Sequence, residues 1–425
     1  MNVLAFASPV NEGLAMTAIP WGVGIVAVAL VAGGLSACSK SSSHSASSSS
    51  ASSSTAALSG DPVEITIPYT GTGPVSYPEN TVAIKAAEKA VNDSGGINGR
   101  PLKVMPCDAQ SPLDANPVTT CMRDRVADKN IVASVGDWTS FNDITTPIEN
   151  AAHLTQIGGV PLGTSQRQLP NSYPLVMLES QAFGADLIAE GAKKPGLAYI
   201  DIASTQSTFS DMNTYLTAAG SNVQFVGKAP VPPTATDIAP QVDKLCDSDG
   251  VALALSSTQI AQYLTAHAVS RCASQPMVTT ALGIAQGVST LGAKGNGLLV
   301  SSSLPFPSDT SLQGIKMFID QMNAIDPTAR KNEASEITWL AVWAFALEAR
   351  KMKGDVTRDT VWTHWQQVST IKVFDLLPPD LNLKSVKTVT GFPRITNQWI
   401  RLGVVRDGSI NDTGKGWIDV LNQHS

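Results

Sequence analysis

From Val63 to about residue 353 the chain alternates short, continuously apolar runs with longer segments whose apolar residues recur at helical spacing. No other feature constrains the fold as strongly. Parallel strands need a long crossover between them, usually a helix, and a sheet covered on both faces shows unbroken apolar runs. The runs at 63–68, 102–106, 131–135, 196–202, 223–226, 251–255, 277–279 and 298–301 are expected to be buried strands, with a further strand near 154–157. Between them the spacing predicts helices over 80–92, 118–128, 183–192, 210–219, 238–246, 259–272, 311–324 and 333–353. The first of these carries Val82, Ala86, Ala87, Ala90 and Val91 on one face and stops at Gly95-Gly96, the pair expected at a helix C-terminus. The strands are too many for one small sheet. The expectation is an α/β fold of two lobes, each a parallel sheet flanked by helices. A length of 425 residues fits two such bodies.

The amino terminus stands apart from that pattern. Residues 19–35 are apolar and small and run into Leu35-Ser36-Ala37-Cys38. A short apolar stretch closed by small residues is the pattern of an export signal rather than of a permanent span. The last four residues resemble a bacterial lipobox, in which the cysteine is lipidated and becomes the new first residue. Residues 1–38 are therefore expected to be a lipoprotein signal peptide with Cys38 as the anchor, although the first basic residue is only Lys40. Residues 39–60 are Ser-rich and nearly free of large apolar side chains, the composition of a flexible tether. The expected location is the extracytoplasmic face of a bacterial cell membrane, reached through the lipid.

Cysteine usage agrees with export. Of five cysteines, setting Cys38 aside leaves Cys107, Cys121, Cys246 and Cys272, for which three pairings exist. Cys107 closes a strand and Cys121 lies near the start of the next helix, at one end of that unit. Cys246 ends a helix, the strand at 251–255 leads away, and the next helix returns to Cys272. Local geometry thus favours Cys107–Cys121 and Cys246–Cys272 in an oxidising compartment.

Ligands of open α/β sheets bind beyond the carboxyl ends of the strands. The loops there are Thr70 to Tyr77, Gly136-Asp137-Trp138-Thr139-Ser140, Gly158-Gly159, Ala203-Ser204-Thr205-Gln206 and Ser256-Ser257-Thr258. They are rich in hydroxyls, glycines and single aromatics and poor in acids and bases. Ser140 and Asp143 make an S-x-x-D pattern at an expected helix start, where free N–H groups attract an anion.

In order, these pieces resemble the branched-chain amino acid (Leu/Ile/Val-binding-like, type I) periplasmic solute-binding proteins of ABC transporters. The resemblance is carried by the first strand and its Gly-Pro loop with Tyr77, by Asn92-Asp93-Ser94-Gly95-Gly96-Ile97-Asn98-Gly99-Arg100-Pro101-Leu102, by Cys107-Asp108, by Gly136 to Ser140, by Gly158-Gly159-Val160-Pro161 and by Pro170 to Pro174. It implies two lobes joined by three hinge crossings, near Val176, Ser301 and Val373, that close on a ligand. Lobe 1 would comprise 61–175 with 301–372, and lobe 2 176–300 with 373–425. It further implies that Tyr77 covers the ligand, that Ser140 with Thr139 holds its carboxylate, and that Gly158 and Gly159 contact its polar head. Trp138, Gln206 and Ser256 complete the candidate ligand-binding set. The expected activity is capture of a small polar organic ligand, an amino acid or related molecule, for delivery to an ABC permease by a monomeric protein with no cofactor. The alternative is a sensing lipoprotein of the same fold. Amino-acid binders of this family hold the ligand ammonium with an acid of the second lobe, whereas Thr279-Thr280-Ala281-Leu282 has none.

Other classes fit less well. A net charge of −6 without a basic run argues against nucleic acid. Gly71-Thr72-Gly73-Pro74-Val75-Ser76 lacks the third glycine of a dinucleotide fingerprint, and Gly287 to Leu291 fails the nucleophile-elbow pattern at its last position. Ser369-Thr370-Ile371-Lys372 is a lone S-x-x-K, and the histidines at 44, 153, 267, 364 and 424 have no metal-ligand spacing. The chain is not expected to be an enzyme.

Overall fold

The computed structural model describes residues 57–422 apart from 74–75, 203–204 and 385–388. The expected signal peptide, Cys38 and most of the tether lie outside the described residues. Near the end of the expected tether, Ser59 N–H donates to Gly99 O at 2.9 Å.

Five strands form an all-parallel first sheet in the order β2-β1-β3-β4-β5: β1 (Val63–Tyr69), β2 (Leu102–Asp108), β3 (Ile131–Val135), β4 (Thr155–Ile157) and β5 (Ser172–Tyr173). Its crossovers are α1 (Glu79–Asp93), α2 (Asn116–Ala127), α3 (Asn142–Ala151) and α4 (Thr164–Gln168). The chain then builds a second sheet from β6 (Pro195–Ile200), β7 (Gly227–Val231), β8 (Gly250–Ala254), β9 (Met277–Thr280) and β10 (Leu299–Ser302). Its helices are α5 (Phe183–Ala189), α6 (Thr208–Ala218), α7 (Ala239–Leu245), α8 (Ser257–His267) and the short α9 (Ala281–Ile284) and α10 (Val288–Leu291). Next come α11 (Gln313–Ile325), α12 (Glu333–Ala349) and α13 (Arg358–Gln367), which return to the first sheet. Finally β11 (Trp399–Arg406) and β12 (Ser409–Asp419) extend the second sheet to seven strands, order β12-β11-β10-β9-β8-β6-β7. Two parallel-dominated sheets flanked by helices are what the alternation predicts.

Three local readings change. The strand expected at 223–226 lies instead at Gly227–Val231, where Val226 is left exposed and Pro230 sits in the ladder. Proline is tolerated there because β7 is an edge strand paired only with β6. The helix expected to run to Cys272 stops at His267, and the last ends at Ala349 rather than 353. The antiparallel pair β11–β12 was not expected. Asp407 and Gly408 join its strands with φ of 49° and 73°, and two left-handed residues make the turn that suits the twist of a tight hairpin.

Helix α12 organises the first body. It is apolar on every side, as a helix enclosed by other elements must be, and all but one of its residues are buried. Trp339 and Trp343 both donate their indole N–H to Gln321 Oε1, at 2.7 and 3.2 Å, so the core holds two tryptophans without an unpaired donor. Just beyond its end, Arg350 donates to Gly96 O and Val91 O at 2.8 and 3.1 Å and fastens the glycine-capped end of α1. Val373, Leu376, Leu377 and Leu381 belong to the same core.

The two bodies are tied where the chain passes between them. Arg167 of α4, buried and stacked on Phe392, pairs with Asp211 of α6 at 2.8 Å. Asn397 donates to Leu175 O at 2.9 Å, and Arg394 donates to Ser172 O at 2.7 Å.

Both disulfides join the expected partners, Cys107–Cys121 and Cys246–Cys272, with Cα separations of 5.8 and 5.1 Å. A non-reduced digest is expected to yield those two cross-linked peptides and no others. Replacing Cys246 and Cys272 together by alanine opens a loop spanning 26 residues and is expected to lower unfolding free energy by about 3 kcal/mol in denaturant titration.

Candidate functional site

The loops beyond β1, β3 and β4 meet at one edge of the first sheet. Trp138 N–H donates to Pro68 O at 2.8 Å, which joins the loop after β3 to the end of β1. Tyr77 N–H donates to Thr70 O at 2.9 Å and closes the loop after β1. The two aromatic rings then meet edge to face with centroids 5.2 Å apart, a favourable quadrupole arrangement. Trp138 and Thr139 are buried, whereas Tyr77 and Ser140 keep part of their surface.

Ser140 does not cap α3. The helix begins two residues later, at Asn142 after a Phe141 cap, and Asp143 Oδ1 instead accepts from Ser165 N at 2.6 Å. The expected S-x-x-D box is therefore absent, and its acid anchors the start of α4. Among the described residues Ser140 Oγ has no hydrogen-bond partner, so its hydroxyl is open to a ligand.

Gly158 and Gly159 are buried positions of close backbone approach, with φ of 68° and 78°. A Cβ on Gly158 would lie 2.8 Å from Ala341 Cβ of α12, and one on Gly159 would lie 2.5 Å from Asp137 O. Gly158 N–H is already used on Tyr173 O at 2.9 Å. Both glycines therefore shape the loop that carries Trp138 to Ser140.

In the second body, Ser256 caps α8 in a reciprocal box with Gln259, and Gln206 is exposed and donates to Asp201 Oδ1. Ala203 and Ser204 lie outside the described residues. Tyr77, Trp138, Thr139, Ser140, Gly158 and Gly159 are thus gathered on one edge. No hydrogen bond or ring contact among the described residues joins Gln206 or Ser256 to them.

Other residues make the contacts between the bodies at this edge. Gln286 Nε2 donates to Ser76 O, the neighbour of Tyr77, and Leu282 packs into the first core. Asn332 Nδ2 donates to Ala285 O at 3.5 Å, and within the first body it donates to Glu79 at 2.6 Å, where Arg330 Nη2 also donates at 3.1 Å. Alongside lies a cavity of about 360 Å³ lined by segments of both bodies, including Ala281, Gln286, Phe306, Arg330, Asn332 and Glu333. None of the ligand-binding residues expected from the sequence lines it.

Beneath this edge lie three buried carboxyls, Glu179, Glu333 and Glu336, and no Lys or Arg forms an ion pair with them among the described residues. Glu333 Oε1 accepts from Ser302 Oγ, Ser303 N and Ser303 Oγ at 3.0, 2.6 and 2.7 Å, which links α12 to the end of β10. Burial, and then the neighbouring Glu333, pushes Glu179 well above the ordinary carboxyl range, and the same two causes act on Glu336. Burial also raises Glu333, while the serine hydrogen bonds hold it down. Tyr77 is pushed up to about 12 by burial, then by Glu79 and Glu179. Nothing in the sequence shows this convergence. Glu333 and Glu336 sit in the first turn of a helix, where acids are ordinary, and Glu179 is far away along the chain.

The family model of periplasmic binding proteins matches residues 62–384. No curated protein matches the chain in sequence. Solved structures share its fold at low identity. A substrate-binding periplasmic protein from Ralstonia solanacearum superposes with a TM-score of 0.66 at 16% identity, covering 82% of this chain and 99% of that one. A fatty acid ABC transporter substrate-binding protein from Thermomonospora curvata gives 0.67 at 13%, covering 86% and 94%. A branched-chain amino acid transporter substrate-binding protein from Streptococcus pneumoniae, in complex with isoleucine, gives 0.64 at 13%, covering 83% and 98%.

The raised carboxyls carry a pH dependence. A group whose pKa is higher folded than unfolded contributes stability that is complete below its unfolded value, about 4.3 for glutamate, and is lost as pH rises through the folded value. Glu336→Gln removes that loss. The variant is expected to melt higher than the parent at about pH 8, with a smaller gain or none at about pH 5, as read by thermal denaturation across pH. An equal effect at both would show that Glu336 does not titrate in this way.

Proposed function

The chain belongs to the periplasmic binding protein family, and from that membership we propose that it captures a small polar organic ligand between its two bodies and delivers it to an ABC importer. The family works outside the cytoplasm, and among the described residues no helix is long and apolar enough to cross a membrane. In this reading the anchor is a lipid on Cys38, residues 39–60 are the tether, and the protein acts as a monomer beside its permease.

The observation that carries the proposal is the edge formed by Tyr77 and Ser140. An aromatic face and a hydroxyl without a protein partner stand where the bodies meet, backed by the buried Trp138 and Thr139. Tyr77 covers the ligand, Ser140 bonds its carboxylate or other acceptor, and Gly158 and Gly159 hold the loop in shape. Gln206 and Ser256 are the candidates from the opposite body, and they reach the ligand only on closure. The inter-body cavity beside Ser76 and Gln286 supplies volume for the ligand's remainder.

Lobe 1 comprises 61–175 and lobe 2 176–300, joined by hinge crossings near Val176 and Ser301. The packing of Val373, Leu376, Leu377 and Leu381 in the first core supports a third crossing later than residue 373, between Leu383 and Trp399. The structural neighbours include an isoleucine complex and a fatty acid binder. Because Thr279 to Leu282 offers no acid, the ligand class extends beyond standard branched-chain amino acids to small carboxylates and amides.

Ligand that binds only the folded state stabilises it by about 2.7 kcal/mol at a hundredfold excess over Kd. Protein lacking residues 1–38 is therefore expected to melt higher with a member of a panel of amino acids, small carboxylates, amides and short peptides. Ser140→Ala and Tyr77→Ala should each weaken that binding by about tenfold or more, the loss of about 1.4 kcal/mol, with unchanged circular dichroism. A panel without any shift defeats the binding proposal, and two variants with parental affinity defeat the site. Separately, Cys38→Ala in the full chain is expected to move the protein from the membrane fraction to the soluble one. Retention in the membrane would remove the lipid anchor from the reading.

A further inference from the structure

Helix α3 is built the wrong way round for a helix on a sheet. Asn142, Thr145, Thr146 and Glu149 recur at the spacing of one face, and each is completely shielded from solvent, while Ile144 is 41% exposed. The buried polar face looks onto Ser134, Asp137 and Gln156, which are equally shielded. Ser134 and Gln156 are register partners on β3 and β4, so their side chains leave the sheet on the same side.

The side chains converge. Asp137 Oδ2 accepts from Gln156 Nε2 at 2.9 Å and from Thr145 Oγ1 at 3.4 Å, and Gln156 Nε2 also reaches Thr146 Oγ1 at 3.5 Å. Ser134 faces Glu149, and Asn142 and Thr139 face Asp137. Two carboxylates therefore share a closed chamber in which no Lys, Arg or His forms an ion pair with either, among the described residues. Gln156 Oε1, on a residue 1% exposed, has no protein partner. A buried acceptor without a donor is costly, and two uncompensated carboxylates are costlier still.

We propose that this chamber binds a hard divalent cation through Asp137, Glu149 and the neutral oxygens of Ser134, Gln156, Thr145 and Thr146. One divalent ion balances both carboxylates, and six to eight oxygens without nitrogen or sulfur is the donor set calcium takes. The chamber lies beneath the loop of the ligand edge, since Asp137 adjoins Trp138 and its carbonyl receives Val160 N–H at 3.1 Å. An ion there braces the loop that presents Ser140, without touching the ligand.

The test uses the full chain, purified with EDTA and then dialysed. Millimolar CaCl2 is expected to raise the melting temperature by about 5 °C, and elemental analysis after gel filtration should find one calcium per chain. Glu149→Gln should abolish both effects. Asp124→Asn, in the acidic surface groove beside the Cys107–Cys121 disulfide, should leave both intact. The proposal is overturned if CaCl2, MgCl2 and NaCl all leave the parent's melting unchanged. It is also overturned if Glu149→Gln keeps the calcium response. Should Glu149→Gln fail to fold, Asp137→Asn and the parent's calcium stoichiometry decide the matter in the same way.

Discussion

Helix α12 packs along α1 and meets the first sheet at the ends of β3 and β4, and the placement of the proposed ligand edge follows from that contact. Burying a large apolar side chain contributes about 1.5–3 kcal/mol, and α12 buries nearly every one it has. Contact this close requires glycine on the other side. Gly136 and Gly158, which begin the loops after β3 and β4, both face Ala341, and a Cβ on either would stand 3.2 or 2.8 Å from Ala341 Cβ. Those glycines adopt left-handed backbone that other residues resist, so the loops leave the sheet in one fixed direction. Trp138 to Ser140 and the turn at Gly159 are carried with them.

The same helix reaches the passages between the two bodies. Glu333 in its first turn holds Ser302 and Ser303 at the exit of β10 and lies against Glu179, just beyond the exit of β5. One buried cluster therefore touches two passages and sits beneath Tyr77. Rearrangement of the bodies cannot leave its hydrogen bonds untouched, because the members belong to different segments. Buried acids without cations lower stability, and natural chains keep such groups where motion or binding requires them. The second acid pair, Asp137 and Glu149, lies under the neighbouring loop. The ligand edge thus rests on two polar interiors rather than on apolar packing alone.

Much of this arrangement was legible along the chain. The Gly-Gly cap of α1, the even set of cysteines and the loops with Tyr77 and Trp138 are local features, and local features survive folding unchanged. The tight turn at Asp407-Gly408 is also written in the sequence, as an Asp-Gly pair between apolar runs. Ser140 illustrates the opposite case. A capping pattern four residues long was present, but the true start of α3 two residues later transferred Asp143 to another helix. Residue pattern cannot settle which of two overlapping starts is used, because the choice depends on what the acid finds in space.

The sequence by itself determined the parallel α/β class, the crossover helices, the disulfide partners and the loops that meet at one edge of the first sheet, because each depends on periodicity or on neighbours near in the chain. Tertiary structure alone decided that Glu179, Glu333 and Glu336 meet, that α3 turns its polar face inward, and that β7 takes a proline at a sheet edge. Those outcomes depend on contacts between segments far apart in sequence. Their energy comes from burial and pairing that exist only once both segments are in place.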